Sequence, residues 1–204
     1  MEDAVSQGIK HIFLEPGVHT STKPVRISVE GVTISGAGRG ITLVEGNGFF
    51  SSSRIGQTVL MDMTVQKTET CGMWGNGLYA MSNFHCLRMH FDQCGGEAGV
   101  CLGGMGRIKG RLTNCQITQC EGSGVKIDGG GNISTIEIEG EETIIELNNS
   151  RGRTDNYIYY GLDAYKQQTS IHILSPLTKE SISKDNHDGN NYCGDVRTVQ
   201  SWWC

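Results

Sequence analysis

The stretch that decides the fold is Val59-Leu60-Met61-Asp62-Met63-Thr64-Val65-Gln66-Lys67-Thr68, because the chain repeats its pattern twice, at equal intervals. The second copy is His85-Cys86-Leu87-Arg88-Met89-His90-Phe91-Asp92-Gln93-Cys94, and the third is Arg111-Leu112-Thr113-Asn114-Cys115-Gln116-Ile117-Thr118-Gln119-Cys120. Set above one another, they give four columns: Leu60/Cys86/Leu112, Met63/Met89/Cys115, Val65/Phe91/Ile117 and Thr68/Cys94/Cys120. A period of about 26 residues with apolar side chains in fixed columns marks a solenoid, where each coil covers its neighbour's hydrophobic side.

Outward from this core the same grammar continues. Ile12-Phe13-Leu14 stops at Pro16-Gly17, Val25 to Val29 alternates apolar with polar residues, and Val32-Thr33-Ile34-Ser35 ends at Gly36-Ala37-Gly38. These are short strands divided by glycine turns, with hardly any helix-period segment. Gly72-Met73, Gly99-Val100, Gly124-Val125 and Gly161-Leu162 each open a further strand, at separations of 27, 25 and 37 residues. The last interval is one coil plus about a dozen residues (37 against 25), an insertion placed at residues 148–160 and expected to protrude as a polar loop. Ile136 to Glu139 and Ile171 to Leu174 read as strands of later coils with the register shifted by a few residues. Residues 1–10 are expected to form a short helical cap, and 195–204, with Trp202 and Trp203, to cover the last coil. The expected fold is therefore all-β: one domain over 1–204, a parallel β-helix of about seven coils, right-handed by the resemblance given below.

Composition narrows the partners. A net charge of −5 argues against a phosphate-binding surface, so no nucleic-acid partner is expected. No stretch approaches 18 apolar residues, so no membrane span is expected. Met1-Glu2-Asp3 lacks the basic and apolar regions of a signal peptide. The cytoplasm or an organelle interior is favoured over secretion, unless a leader precedes this start. Of eight cysteines, Cys86, Cys94, Cys115 and Cys120 occupy apolar columns and are expected as reduced core thiols. No CxxC pair offers a zinc site, and no cofactor or metal is expected.

The opening Ile12-Phe13-Leu14-Glu15-Pro16-Gly17-Val18-His19, then Val25-Arg26-Ile27 and Val32-Thr33-Ile34-Ser35-Gly36-Ala37-Gly38, resembles the first coils of right-handed parallel β-helix proteins of the pectate-lyase-like superfamily. Leu112 to Cys120 followed by Gly124-Val125 resembles the carbohydrate-binding and sugar-hydrolase repeats of that superfamily. The resemblance spans about residues 9–185. It implies the fold and leaves the activity open, since such repeats occur in polysaccharide lyases, in hydrolases and in non-enzymatic adaptors.

Glycosidases of this fold need paired carboxylates. The polygalacturonase-like pattern expects Asn-x-Asp, Asp-Asp, Gly-His-Gly and Arg-Ile-Lys in successive coils, and only Arg107-Ile108-Lys109 occurs. No coil-spaced aspartate column suits calcium, and no catalytic residue is assigned. The charged candidates are Arg107, Lys109 and Arg111 on one rung and Glu137 and Glu139 on the next, with His85 and His172 flanking the same outer side. Their alternation fits a ladder of opposite charges on neighbouring strands as well as a binding face. The expected function is a non-catalytic scaffold or binding module for a protein or polysaccharide partner. The alternatives are a polysaccharide lyase or glycoside hydrolase using that acidic side, and a structural subunit of a larger assembly.

Overall fold

A computed structural model describes residues 7–52, 56–69, 75–104, 106–129, 133–150 and 158–200. Every coil lays down three short strands, one for each of three parallel sheets with eight, seven and seven strands. In all three sheets, strand neighbours lie one coil apart in sequence. The chain is a parallel β-solenoid of about seven coils.

Alternation of side chains explains the walls. In the first sheet Ile12, Ile34, Leu60, Cys86, Leu112, Ile138 and Ile173 share one register position and point inward. Phe84 faces Gly110 on the next rung, and its ring takes the space where a Gly110 side chain would stand. In the second sheet Val44, Val65, Phe91, Ile117 and Ile145 form a stack and are all buried. Three of them form the repeat column of the sequence.

Two kinds of corner close each triangular coil. Between the first and second sheets, Asp62, Arg88, Asn114 and Gly140 recur at the period of the repeat with φ of 57°, 50°, 52° and 91°. Between the second and third sheets, Lys67, Gln93, Gln119, Leu147 and Asp185 take φ of 50°, 51°, 55°, 59° and 53°. One left-handed residue turns the chain sharply without spending a loop. Just beyond that second corner stand Gly77, Gly99, Gly124 and Gly161, in register on the third sheet. A Cβ at Gly124 would lie 2.6 Å from Ile145 Cγ2, and one at Gly99 2.6 Å from Ile117 Cγ2. Only glycine lets the third sheet come this close to the second sheet's core residues. Gly72, taken from the sequence as the first of this series, lies outside the described residues; Gly77 holds the position.

The later coils keep step better than the sequence suggests. Leu112 still pairs with Ile138 at the interval of the earlier coils. Ile117 pairs with Ile145 at a slightly longer one, because a turn at Gly140–Thr143 adds two residues. Asn148 and Asn149, expected at the start of a protruding loop, are fully buried. Asn148 continues the Thr68/Cys94/Cys120 column: its Oδ1 accepts from the Cys120 N–H at 3.1 Å, and its Nδ2 donates to Ile117 O at 3.0 Å and Asn186 Oδ1 at 3.2 Å. The rest of the insertion, 151–157, lies outside the described residues.

At the front, residues 1–6 of the expected helical cap lie outside the described residues, and the first element among the described residues is the strand His11–Phe13. Among the described residues the one α-helical turn is Lys179–Ile182, capped by Thr178. At the far end Val196–Val199, within the segment expected to cover the last coil, is the eighth strand of the first sheet, paired with Thr169–Leu174. Trp202 and Trp203 lie outside the described residues. The six described cysteines are free thiols, five of them buried.

Candidate functional site

The charged residues singled out in the sequence lie on the outer side of the first sheet. Register sets Arg111 beside Glu137 and Thr113 beside Glu139. Arg111 Nη2 lies 2.8 Å from Glu137 Oε2 and its Nη1 3.9 Å from Glu139 Oε1, while Thr113 Oγ1 donates to Glu139 at 2.8 Å. His85 precedes Arg111 in the column, and His172 and Arg197 follow Glu137. Burial, then the nearby Arg111, lowers the His85 pKa; burial, then Arg197, lowers that of His172.

The expected pairing of three cations with two carboxylates is realised by Arg111 alone. Lys109 stands opposite Thr135, and Arg107 precedes the strand; neither has an acidic partner among the described residues. The reason is register: the glutamates fall one column later than a match for Lys109 requires. His85, Lys109, Arg111 and Glu137 line a shallow notch of about 250 Å³.

A second cluster lies on the outer side of the third sheet, and sequence reasoning passed over it. Cys101, Lys126, Asp163 and Cys193 follow one another in register there. Alternation should leave them in solvent, yet Lys126 is 4 % exposed and Asp163 2 %. Each follows a corner glycine by two residues, in Gly124-Val125-Lys126 and Gly161-Leu162-Asp163. That repeat of position was the available signal; burial was invisible because strand alternation does not tell what lies over an outward side chain.

Lys126 gives its ion pair to Glu97, Nζ to Oε2 at 2.9 Å. Burial works against its charge, but the hydrogen bond and charge of Glu97 prevail and raise its pKa. Asp163 accepts from the Tyr165 backbone N–H and from the Ser123 hydroxyl, which itself accepts from the Tyr160 N–H at 3.1 Å. Its Oδ1 has no hydrogen-bond partner. Burial pushes the Asp163 carboxyl up to about 6, with Lys126 and the two hydrogen bonds pulling the other way. Tyr79, in the same column, is pushed up to about 12, first by burial and then by Cys101 and the carboxylates nearby.

These groups open onto a cavity of about 320 Å³ lined by Lys126, Tyr159, Tyr160, Asp163, Tyr165 and Cys193. Tyr165 also lines a broader depression of about 520 Å³ with Gln167, Gln168, Asp195 and Arg197. One half-exposed ring thus stands between two hollows.

Comparisons with protein-family models, curated proteins and solved structures find no match. The site is therefore read from its own chemistry. Among the described residues no group of three or more His, Cys, Asp or Glu could hold a metal ion. No helix among them is long and apolar enough to cross a membrane. What the cluster offers is a buried acceptor oxygen, a buried ammonium and three phenol rings around one opening.

Proposed function

We propose that this protein is a β-solenoid binding module that takes an oligosaccharide in the cleft on the outer side of the third sheet. The carrying observation is Asp163, which lines a tyrosine-walled cavity while its Oδ1 is buried without a hydrogen-bond partner. A buried polar atom without a partner costs stability, and one lining a cavity is a ready acceptor for a ligand's hydroxyl or amine. Pockets of this size with aromatic walls and few polar groups are usual for small ligands. Two hollows divided by Tyr165 suit a chain of rings better than a single small molecule. The resemblance of residues 112–125 to carbohydrate-binding and sugar-hydrolase repeats of the pectate-lyase-like superfamily is in keeping with a glycan partner.

Hydrolysis needs a second carboxylate free to act beside Asp163. The two nearest in the cluster are each engaged, Glu97 with Lys126 at 2.9 Å and Asp128 with Lys166 at 3.6 Å. The binding reading is therefore preferred over the lyase or hydrolase. Titration calorimetry against a panel of oligosaccharides tests it. Binding that Tyr165→Ala weakens tenfold or more, without turnover, is the expected result. Cleavage of any polymer in the panel, or binding indifferent to Tyr165, overturns it.

A further inference from the structure

The charges around the cleft do not balance, and the imbalance names a ligand chemistry. Among the described residues the cluster holds two lysines, Lys126 and Lys166, and three carboxylates, Glu97, Asp128 and Asp163. Lys126 is held by Glu97 at 2.9 Å and Lys166 lies 3.6 Å from Asp128. Asp163 is left with two neutral donors, the Tyr165 N–H and the Ser123 hydroxyl, and one oxygen with none. It is also the most deeply buried of the three.

We propose that the cleft is specific for glycans bearing free amino groups, the ammonium of a hexosamine pairing with Asp163 Oδ1. This inference rests on the glycan reading above. A charged carboxylate taken out of water is costly unless it is paired, and a ligand cation supplies the missing partner inside the cleft. The tyrosine walls add to this preference, because a cation is attracted to the face of an aromatic ring. Lys166 already illustrates the contact, its Nζ 4.9 Å from the centre of the Tyr165 ring. A lysine side chain offers the same ammonium on a thin stem. The hollow on either side of Tyr165 is wider than such a stem needs, and Tyr159, Tyr160 and Tyr165 carry hydroxyls suited to a ring rich in them.

The groups facing Asp163 fix how pH acts. They are Lys126 on the preceding rung, Cys193 on the following one, Ser123 and Asp128 flanking Lys126, and Tyr165. Asp163 itself changes charge between pH 5 and 7, its pKa being pushed up to about 6 by burial. The amine preference should fade as pH falls through that value.

The test is calorimetry with three tetramers of one linkage: glucosamine, N-acetylglucosamine and glucose. The wild-type protein should bind the glucosamine tetramer at least tenfold more tightly than the other two at pH 6.5, where both the sugar amine and Asp163 carry charge, and lose that margin at pH 5. Asp163→Asn should bring the three to within threefold of one another, the glucosamine tetramer losing the most affinity. Should that variant fail to fold, the wild-type pH series alone decides. Equal binding of all three tetramers at pH 6.5 overturns the amine inference and leaves the glycan reading intact. Binding of none, alongside binding of a lysine-rich peptide, overturns both.

Discussion

Arg88 grips Asp62 on the preceding coil with two hydrogen bonds, Nε to Oδ1 at 2.6 Å and Nη2 to Oδ2 at 2.8 Å, and both residues turn the same corner in the left-handed conformation. The repeat stacks not only strands but the corners between them. The pair is partly exposed, 44 % for Arg88 and 28 % for Asp62, so solvent screens it. A double-mutant cycle with Asp62→Ala and Arg88→Ala should give a coupling of about 0.2–1 kcal/mol, typical of surface pairs. A coupling near zero means that the fork does not hold the corner in solution.

Leu147 turns the other corner with φ of 59° while half of its side chain lies in solvent. A left-handed non-glycine residue costs about 1–2 kcal/mol, and glycine gives back part of that gain in chain entropy. Leu147→Gly should therefore raise stability by about 0.5–1 kcal/mol, seen as a higher urea midpoint with unchanged slope. A lower midpoint contradicts the strain assigned to this corner.

Gly124 has the opposite requirement. A Cβ there would stand 2.6 Å from Ile145 Cγ2 and 2.7 Å from the Gly161 carbonyl oxygen. Gly124→Ala should cost about 1–3 kcal/mol through overpacking, or more if the third sheet shifts. Denaturation that matches wild type refutes the close approach of the second and third sheets.

Asp163 gives a pH signature. Its folded pKa of about 6 lies above the usual 3.8, so the folded state binds more protons than the unfolded one between those values. Its contribution to stability is therefore unfavourable above pH 6 and is relieved as pH falls toward 4. At about 1.4 kcal/mol per pKa unit the relief reaches up to about 3 kcal/mol. The half-buried histidines act in the other direction. His85, His90 and His172 have pKa values lowered first by burial, so the unfolded state takes the proton first and stability is lost below about pH 6.5. Asp163→Asn removes the first effect and keeps the second. The stability of wild type relative to this variant should grow between pH 7.5 and pH 5 in denaturant titrations. A constant difference shows that Asp163 is not buried as described.

The cysteines provide a chemical check on the core. Cys86, Cys94, Cys101 and Cys115 have thiol pKa values raised by their surroundings: for Cys94 the hydrogen bond with Cys120 comes first and burial second, and for the others burial leads. Alkylation of the native protein, mapped by peptide mass, should label the partly exposed Cys193 and spare Cys86, Cys94, Cys101, Cys115 and Cys120 until denaturant is added. Labelling of Cys94 or Cys120 in the native state contradicts the coil packing.

The fold was legible because a solenoid repeats its own instructions. Val65, Phe91 and Ile117 carry equal spacing and equal character, and stacking follows directly from both. The charged columns were legible in part: the sequence shows Arg111 and Glu137 as outward residues of neighbouring coils. It does not show that Lys109 misses Glu137, which depends on a register fixed by hydrogen bonds along the whole strand. The corner conformations left little trace, since Asp62, Arg88 and Asn114 share a backbone shape without sharing a side chain.

By itself, then, the sequence determined the coil, its period and its inward columns, because those follow from local alternation and from identical neighbours one lap away. Only the tertiary structure decided that Lys126 and Asp163 are buried. Both occupy positions that alternation assigns to solvent, and burial of an outward side chain depends on what distant segments lay over it. Glu97 reaches Lys126 from the preceding coil at 2.9 Å, Tyr159, Tyr160 and Tyr165 line one cavity with both residues, and strand alternation encodes none of this.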